Sequence, residues 1–155
     1  MGIRSTAPIL SFHGPYRFLS NFYRSPIEID GHTYLTAEHA YQALKTKDEH
    51  EREMIRRAPT PGKAKQWGKE VTLRHGWEGG LREVMMERVV KAKYDQHPEL
   101  ERLLLETGDR ELIEGNSWGD TFWGKCNGRG ENKLGKIHMK ERVERRNKEN
   151  KRHGQ

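Results

Sequence analysis

From Ile27 to Tyr34 the chain reads Ile-Glu-Ile-Asp-Gly-His-Thr-Tyr, with apolar and polar positions alternating on either side of Asp30-Gly31. Period-two alternation predicts two strands, and Asp-Gly between them predicts a tight two-residue hairpin turn. The periodicity then changes. Thr36 stands where an N-cap is expected, and Glu38 falls in the first turn, where a carboxylate favours the helix dipole. Ala37, Ala40, Tyr41 and Leu44 share one face of a helix reaching about residue 47. A second helix is expected from Glu49 to Ala58, stopped by Pro59, and a third begins at Thr60-Pro61 with proline in the first helical position.

Further on, Val84, Met85, Val89 and Ala92 recur at helical spacing, which predicts the longest helix over Leu81–Tyr94. Pro98 opens another helix carrying Leu100, Leu103 and Leu104, which Gly108 ends. Ile9–Phe12 and Leu112–Ile113 are short apolar runs that suggest strands. Residues 116–130 are rich in Gly, Trp and polar side chains and predict a long loop. A loop of that length inside a compact domain is usually functional or disordered, and its two tryptophans favour order. Asn132 is expected to cap a last helix bearing Leu134, Ile137 and His138.

Length and charge refine this picture. With 155 residues the chain fits one domain. Apolar residues make up 32% and charged residues 34%, and the net charge is +6. Between Lys140 and Gln155 seven Lys/Arg oppose three Glu, a local charge of +4 that leaves only about +2 for the body. A whole-surface nucleic-acid interface is therefore disfavoured, although a basic tail can still steer anionic ligands. Cys126 is the only cysteine, so no intramolecular disulfide forms. No apolar run approaches a membrane span or a secretory leader, which predicts a cytoplasmic protein without a membrane partner.

Three groups of residues have chemistry to offer. Glu38, Gln42 and Lys45 follow i, i+4, i+7 spacing and form a polar stripe about 120° from the centre of the apolar face, bordering it. A carboxylate, an amide and an amine would then edge a cleft, although an ordinary surface ladder has the same spacing. The second group runs from Trp118 to Asn132. In it Gly124, Gly128 and Gly130 allow close backbone approach to a ligand. Trp118 and Trp123 could stack on a base, Asp120 could accept from ribose hydroxyls, and Arg129 could meet a phosphate. A packed loop with tryptophan in the core is the competing reading. The third group, Ser20-Asn21-Phe22, offers an amide that either bonds a ligand or makes an Asx turn.

Other chemistries lack their signatures. No Gly-Lys-Ser/Thr follows the glycines, and no dinucleotide fingerprint surrounds them. The eight histidines show no metal-ligand spacing, and Cys126 has no cysteine partner. Neither a metal nor a cofactor is expected. His39, beside Glu38, reads as a structural or surface residue.

Five segments occur in a recognisable order: Phe18-Leu-Ser-Asn-Phe-Tyr23, Pro26-Ile-Glu-Ile-Asp-Gly31, Thr36-Ala-Glu-His-Ala-Tyr-Gln-Ala-Leu-Lys45, Gln96-His-Pro-Glu-Leu100, and Trp123-Gly with Gly130-Glu-Asn-Lys-Leu-Gly135. Together they resemble the NADAR (YbiA-like) family over roughly residues 10–143. The resemblance implies a compact, mainly helical α+β domain with a small β-hairpin, here residues 1–145; the basic run at 146–155, less typical of the family, is expected to be a flexible tail. It also implies an N-glycosidase, a hydrolase acting on N-glycosyl bonds. Family members cleave phosphorylated riboflavin-biosynthesis intermediates or remove ADP-ribose from guanine in nucleic acid. The expected partner is thus a small ribose phosphate or an ADP-ribosylated nucleic acid.

Positions matching the family's site are Asn21, Glu38, Lys45, Asp120, Trp123 and Asn132. Glu38 and Lys45 are the expected catalytic pair. Asn21, Phe22, Gln42, Trp118, Asp120, Trp123, Gly124, Arg129, Gly130 and Asn132 are the expected substrate-binding residues, with Glu38, Lys45, Asp120 and Trp123 expected to converge on one cleft. Two routes fit. Either Glu38 supports an oxocarbenium-like C1′ or activates water while another group protonates the departing nitrogen, or Lys45 forms a Schiff base with the opened sugar while Glu38 moves protons. The competing class is a non-catalytic module that binds ADP-ribose or nucleic acid.

Overall fold

Asp30 and Gly31 both adopt positive φ, 53° and 80°, as a primed two-residue turn requires. They join strands β1 (Arg24–Ile29) and β2 (His32–Thr36), which pair antiparallel with Ile27 opposite Tyr34 and Ile29 opposite His32. The computed structural model describes residues 5–154. Residues 1–4 and 155, at the outer ends of the expected domain and tail, lie outside it. The chain divides into two compact units, Asn21–His97 and Met1–Ser20 with Pro98–Gln155.

In the Asn21–His97 unit the hairpin is followed by α1 (Ala37–Ala43), α2 (Glu49–Arg56), α3 (Pro61–Trp67) and α4 (Leu81–Gln96). Each of the first three starts on a side-chain cap. Thr36, Asp48 and Thr60 accept from the backbone N–H of His39, Glu51 and Lys63. The helix α1 packs against α2, α3, α4 and both strands. For this reason all seven of its residues are buried, the polar ones included. This corrects the stripe geometry: Glu38 and Gln42 do not border the core but lie inside it, 8% and 4% exposed. His39 is fully buried as well, its ring bonded to Thr36 Oγ1 at 2.8 Å and the Ala58 carbonyl at 3.0 Å.

The helix also ends earlier than residue 47. Lys45 and Thr46 donate backwards to Gln42 and Ala43, three residues away, so the last turn tightens beyond Ala43. Arg52 Nε holds the exit by donating to the Thr46 carbonyl at 2.6 Å.

In the other unit, α5 (Pro98–Glu106) packs on α6 (Lys133–His153). The 21 residues of α6 make it the longest helix among the described residues, in place of the expected Leu81 helix. Its apolar stripe is weak, and charged side chains anchor it instead. The buried Arg145 pairs with Glu101 at 2.6 Å and Glu141 at 3.1 Å, and Arg142 donates to Thr107 Oγ1 at 2.8 Å. The basic segment is helical through His153.

Ile9 and Leu112 form only an isolated parallel bridge, not two strands. The bridge is held by Ile9 N–H to the Glu111 carbonyl at 2.8 Å and Ile113 N–H to the Ile9 carbonyl at 2.9 Å. Ser11 onwards turns away into a 3-10 helix, Gly14–Leu19, which stops the pairing. Beyond them lie two-residue parallel strands, β3 (Gly115–Asn116) and β4 (Lys125–Cys126). The architecture is α+β and mainly helical, as the family resemblance implies. No helix of the described residues is long and apolar enough to cross a membrane.

Candidate active site

The N-terminus of α1 is where the polar residues of the first unit gather. Asn21 precedes the hairpin, and its backbone carbonyl accepts the Glu38 N–H at 2.9 Å, so the start of the helix is tied to the start of the unit. One turn along, Gln42 Nε2 donates to Glu38 Oε2 at 2.6 Å. That bond fixes the carboxylate's rotamer in a water-poor setting, where a charge-assisted hydrogen bond is short and strong. The Asn21 side chain is buried too and donates to Met86 Sδ at 3.3 Å.

Two acceptors in this cluster have no protein partner: Asn21 Oδ1 and Gln42 Oε1. Leaving a buried carbonyl oxygen unpaired costs about 1–3 kcal/mol, so such atoms mark places where the fold is not optimised for its own stability. Gln42 is pressed against Gly68. A Cβ at Gly68 would collide with the Gln42 amide, so a glycine on the neighbouring turn makes room for it.

Lys45 leaves α1 half-buried, with Nζ 5.8 Å from the centre of the Tyr41 ring, which in turn meets Trp77 at 5.5 Å. Burial lowers its pKa below the ordinary lysine value. Glu38 works in the opposite direction, while the nearby ammonium groups of Lys65 and Lys69 lower it further. Removal from water and like charge are the two means of activating an amine at neutral pH. Glu38, Gln42 and Lys45 are thus brought together with Asn21 around one helix, whereas Phe22, next to Asn21, is exposed.

The Trp118–Asn132 segment is an ordered loop of the other unit. Asp120 Oδ1 accepts from the N–H groups of Phe122 at 3.1 Å and Trp123 at 2.9 Å, so one carboxylate oxygen is spent on an Asx-type turn. Asn116 clasps the same residue, accepting from Asp120 N–H at 3.0 Å and donating to its carbonyl at 2.8 Å. Trp123 packs edge-on against Phe122 at 4.7 Å, while Trp118 is 59% exposed. Gly124 has no space for a side chain beside Glu114, and Gly130, at φ 145°, lies against the Gly124 carbonyl. Arg129 is exposed at the loop tip.

Asn132 stands at the N-cap of α6 but makes no side-chain cap, because φ is 53° and the amide points away from the helix. It donates to the Leu112 carbonyl and accepts from Glu114 N–H, both at 2.9 Å, and so pins the loop's base. Among the described residues no group of three or more His, Cys, Asp or Glu could hold a metal ion.

The NADAR domain model matches residues 11–146, covering both the α1 cluster and the loop. The chain belongs to the NADAR family. Its relatives in that family include an N-glycosidase YbiA from Shigella flexneri, 42% identical over 127 residues that span 80% of this chain and 78% of the relative. An N-glycosidase of Nostoc punctiforme is 40% identical over 139 residues, 86% of this chain and 88% of that protein. A riboflavin biosynthesis protein of Vibrio vulnificus is 38% identical over 82% of this chain but only 35% of its own length. The NMR structure of Escherichia coli YbiA superposes with a TM-score of 0.82 at 36% identity, over 95% of this chain and 89% of that one.

Local spacing along the chain does not point to the other neighbours of the α1 cluster: Tyr41 and Trp77 beside Lys45, Gly68 under Gln42, and Met86 against Asn21. Tyr41 was visible only as an apolar-face residue. The rest come from α4 and from the turns on either side of residue 70, with no local spacing that links them to α1.

Proposed function

We propose that this chain is an N-glycosidase that hydrolyses the bond between a nitrogen leaving group and C1′ of a ribose phosphate. The observation that carries the reading is a buried Glu38 held by Gln42 at 2.6 Å, two turns along the same helix from a half-buried Lys45 of lowered pKa. The NADAR membership and the N-glycosidases among its relatives support the reaction class. Its substrate is a phosphorylated riboflavin-biosynthesis intermediate or an ADP-ribosylated guanine. The first is favoured by the riboflavin biosynthesis relative.

Lys45 is the nucleophile in this reading. The ribosylamine ring opens to an imine at C1′, and the neutral Lys45 amine adds there. The original C1′–N bond breaks as a proton passes to the leaving nitrogen, with Glu38 as the carrier. Water then hydrolyses the lysine imine, releasing the open-chain ribose phosphate and restoring the amine. The unpaired oxygens of Asn21 and Gln42 accept sugar hydroxyls. Phe22 meets substrate beside Asn21; within the other unit, Trp118, Asp120, Trp123, Gly124, Arg129, Gly130 and Asn132 are the residues that the NADAR resemblance implies for substrate binding.

Separate incubations with ADP-ribosylated guanosine and with riboflavin-pathway ribose phosphates, read by mass spectrometry, test the proposal. Release of free base or amine from either is expected. Tight binding of both without release would instead identify a non-catalytic binding module.

A further inference from the structure

Arg74 has no place in the chemistry above, yet its surroundings are unusual. It belongs to the same unit as Lys45, and its backbone N–H donates to the Lys45 carbonyl at 2.8 Å. Its Nη1 reaches the Leu44 carbonyl at 3.4 Å and Met85 Sδ at 3.8 Å. Among the described residues no carboxylate pairs with it. Asp30 senses its charge but is bonded to Arg88 at 2.7 Å. Nε is buried without an acceptor, and Nη2 makes no hydrogen bond within the described residues.

The pattern of used and unused donors is informative. Nε–H and the adjacent Nη2–H form the side edge of a guanidinium, the fork that fits two oxygens of a phosphate. That edge is unused, while Nη1 anchors the group to the end of α1. The surrounding charge is of the matching sign. Lys65 and Lys69 both act on the Lys45 ammonium, and Arg74 is bonded to the Lys45 backbone, so positive charge gathers around the end of α1. Positive charge gathered in one place raises the local concentration of anions.

We propose that Arg74 is the residue that binds the substrate's phosphate, gripping two of its oxygens with the Nε–Nη2 edge while Lys65 and Lys69 supply the surrounding positive field. This rests on the N-glycosidase reading for the identity of the ligand. Nε is enclosed in the ligand-free protein, so binding includes a small rotation of the guanidinium towards the phosphate. Anchoring at the backbone of Lys45 couples the phosphate's position to the nucleophile, so a correctly seated phosphate sets C1′ at the amine.

The alternative is that Arg74 merely ties its turn to α1, and the two are separable. Arg74→Met and Arg74→Lys are compared with wild type on a ribose-phosphate substrate and on the same compound without its phosphate. Loss of a charged bidentate bond is expected to lower kcat/KM for the phosphorylated substrate by roughly 10–100-fold in Arg74→Met, through kcat as well as KM, with partial retention in Arg74→Lys. The dephosphorylated substrate is expected to change by less than about twofold. Equal losses on both substrates would overturn the proposal. The second measurement needs no variant: the Arg74 Nε–H resonance of the wild-type protein, followed by nitrogen-15 NMR, should move on titration with ribose 5-phosphate and not with ribose. Indifference to ribose 5-phosphate overturns the proposal even where the variants fail to fold. A protein whose Arg74 responds but which cleaves no N-glycoside keeps the phosphate site and loses the N-glycosidase reading. Cleavage without any Arg74 response does the reverse.

Discussion

Lys93, on α4, is completely buried, with its ammonium 5.8 Å from the centre of the Tyr23 ring. Burial pushes its pKa from 10.5 down to about 7. The folded protein therefore holds this proton less tightly than the unfolded chain does. Below pH 7 both states carry the charge, and folding bears the full penalty of desolvating it. Between pH 7 and 10.5 the unfolded chain binds more protons than the folded one, so stability rises with pH; above 10.5 the penalty is gone. A depression of that size corresponds to on the order of 5 kcal/mol, at about 1.4 kcal/mol per unit. Replacing the lysine by methionine of similar length removes the charge and keeps the packing. Lys93→Met is expected to stabilise the protein by several kcal/mol at pH 6, with the gain shrinking steadily towards pH 10. Urea unfolding of both proteins at half-unit intervals from pH 6 to 10 measures the difference, and groups common to both cancel. A difference that does not change with pH would refute the reasoning. A destabilised variant at pH 6 would show that the polar contacts of the ammonium outweigh its desolvation.

Four further outcomes are expected at the proposed site. Glu38→Gln should lower turnover by ~10² or more, the usual scale for a positioned proton carrier, and steady-state rates near wild type would remove Glu38 from the mechanism. Sodium borohydride added during turnover should trap a sugar adduct on Lys45, seen by peptide mass spectrometry. Its absence, together with an active Lys45→Arg variant, would favour direct hydrolysis assisted by Glu38. Because the Lys45 pKa is lowered and the neutral amine is the nucleophile, the rate should climb with pH through a midpoint below 10.5, and lower still in any Glu38→Gln activity that persists; a midpoint at or above the ordinary lysine value would contradict this. Gly68→Ala should displace Gln42 and cost about 1–3 kcal/mol by overpacking, so an unchanged urea midpoint would show that the Gln42 amide moves aside freely.

What the sequence determined is what neighbouring residues decide among themselves. Asp30-Gly31 dictates its turn because its positive φ values are a local steric matter, and Thr36, Asp48 and Thr60 start helices because each cap bond spans only three residues. Pro61 and Pro98 open helices for the same reason. The order of the five motifs was enough to mark the NADAR family, and the Glu38–Gln42–Lys45 spacing was visible without coordinates. The burial of that stripe was not. One helical face sees only its own residues, and α1 became wholly interior because α2, α3, α4 and the hairpin, up to about sixty residues away, enclose it. The same holds for α6. Its basic run gives little apolar signal, and the pairing of Arg145 with Glu101, 44 residues back, exists only once α5 and α6 are packed. Ile9–Phe12 and Leu112–Ile113 carry strand-like residues, but pairing needs an available edge, and the chain turns away after one bridge. Asn132 shows the rule from the other side: its sequence position suits a cap, but the Leu112 carbonyl and Glu114 N–H, distant in sequence, take its amide instead. Lowered pKa, orphaned oxygens and the unused edge of Arg74 all arise from desolvation by residues remote in the chain, which is a property of tertiary structure alone.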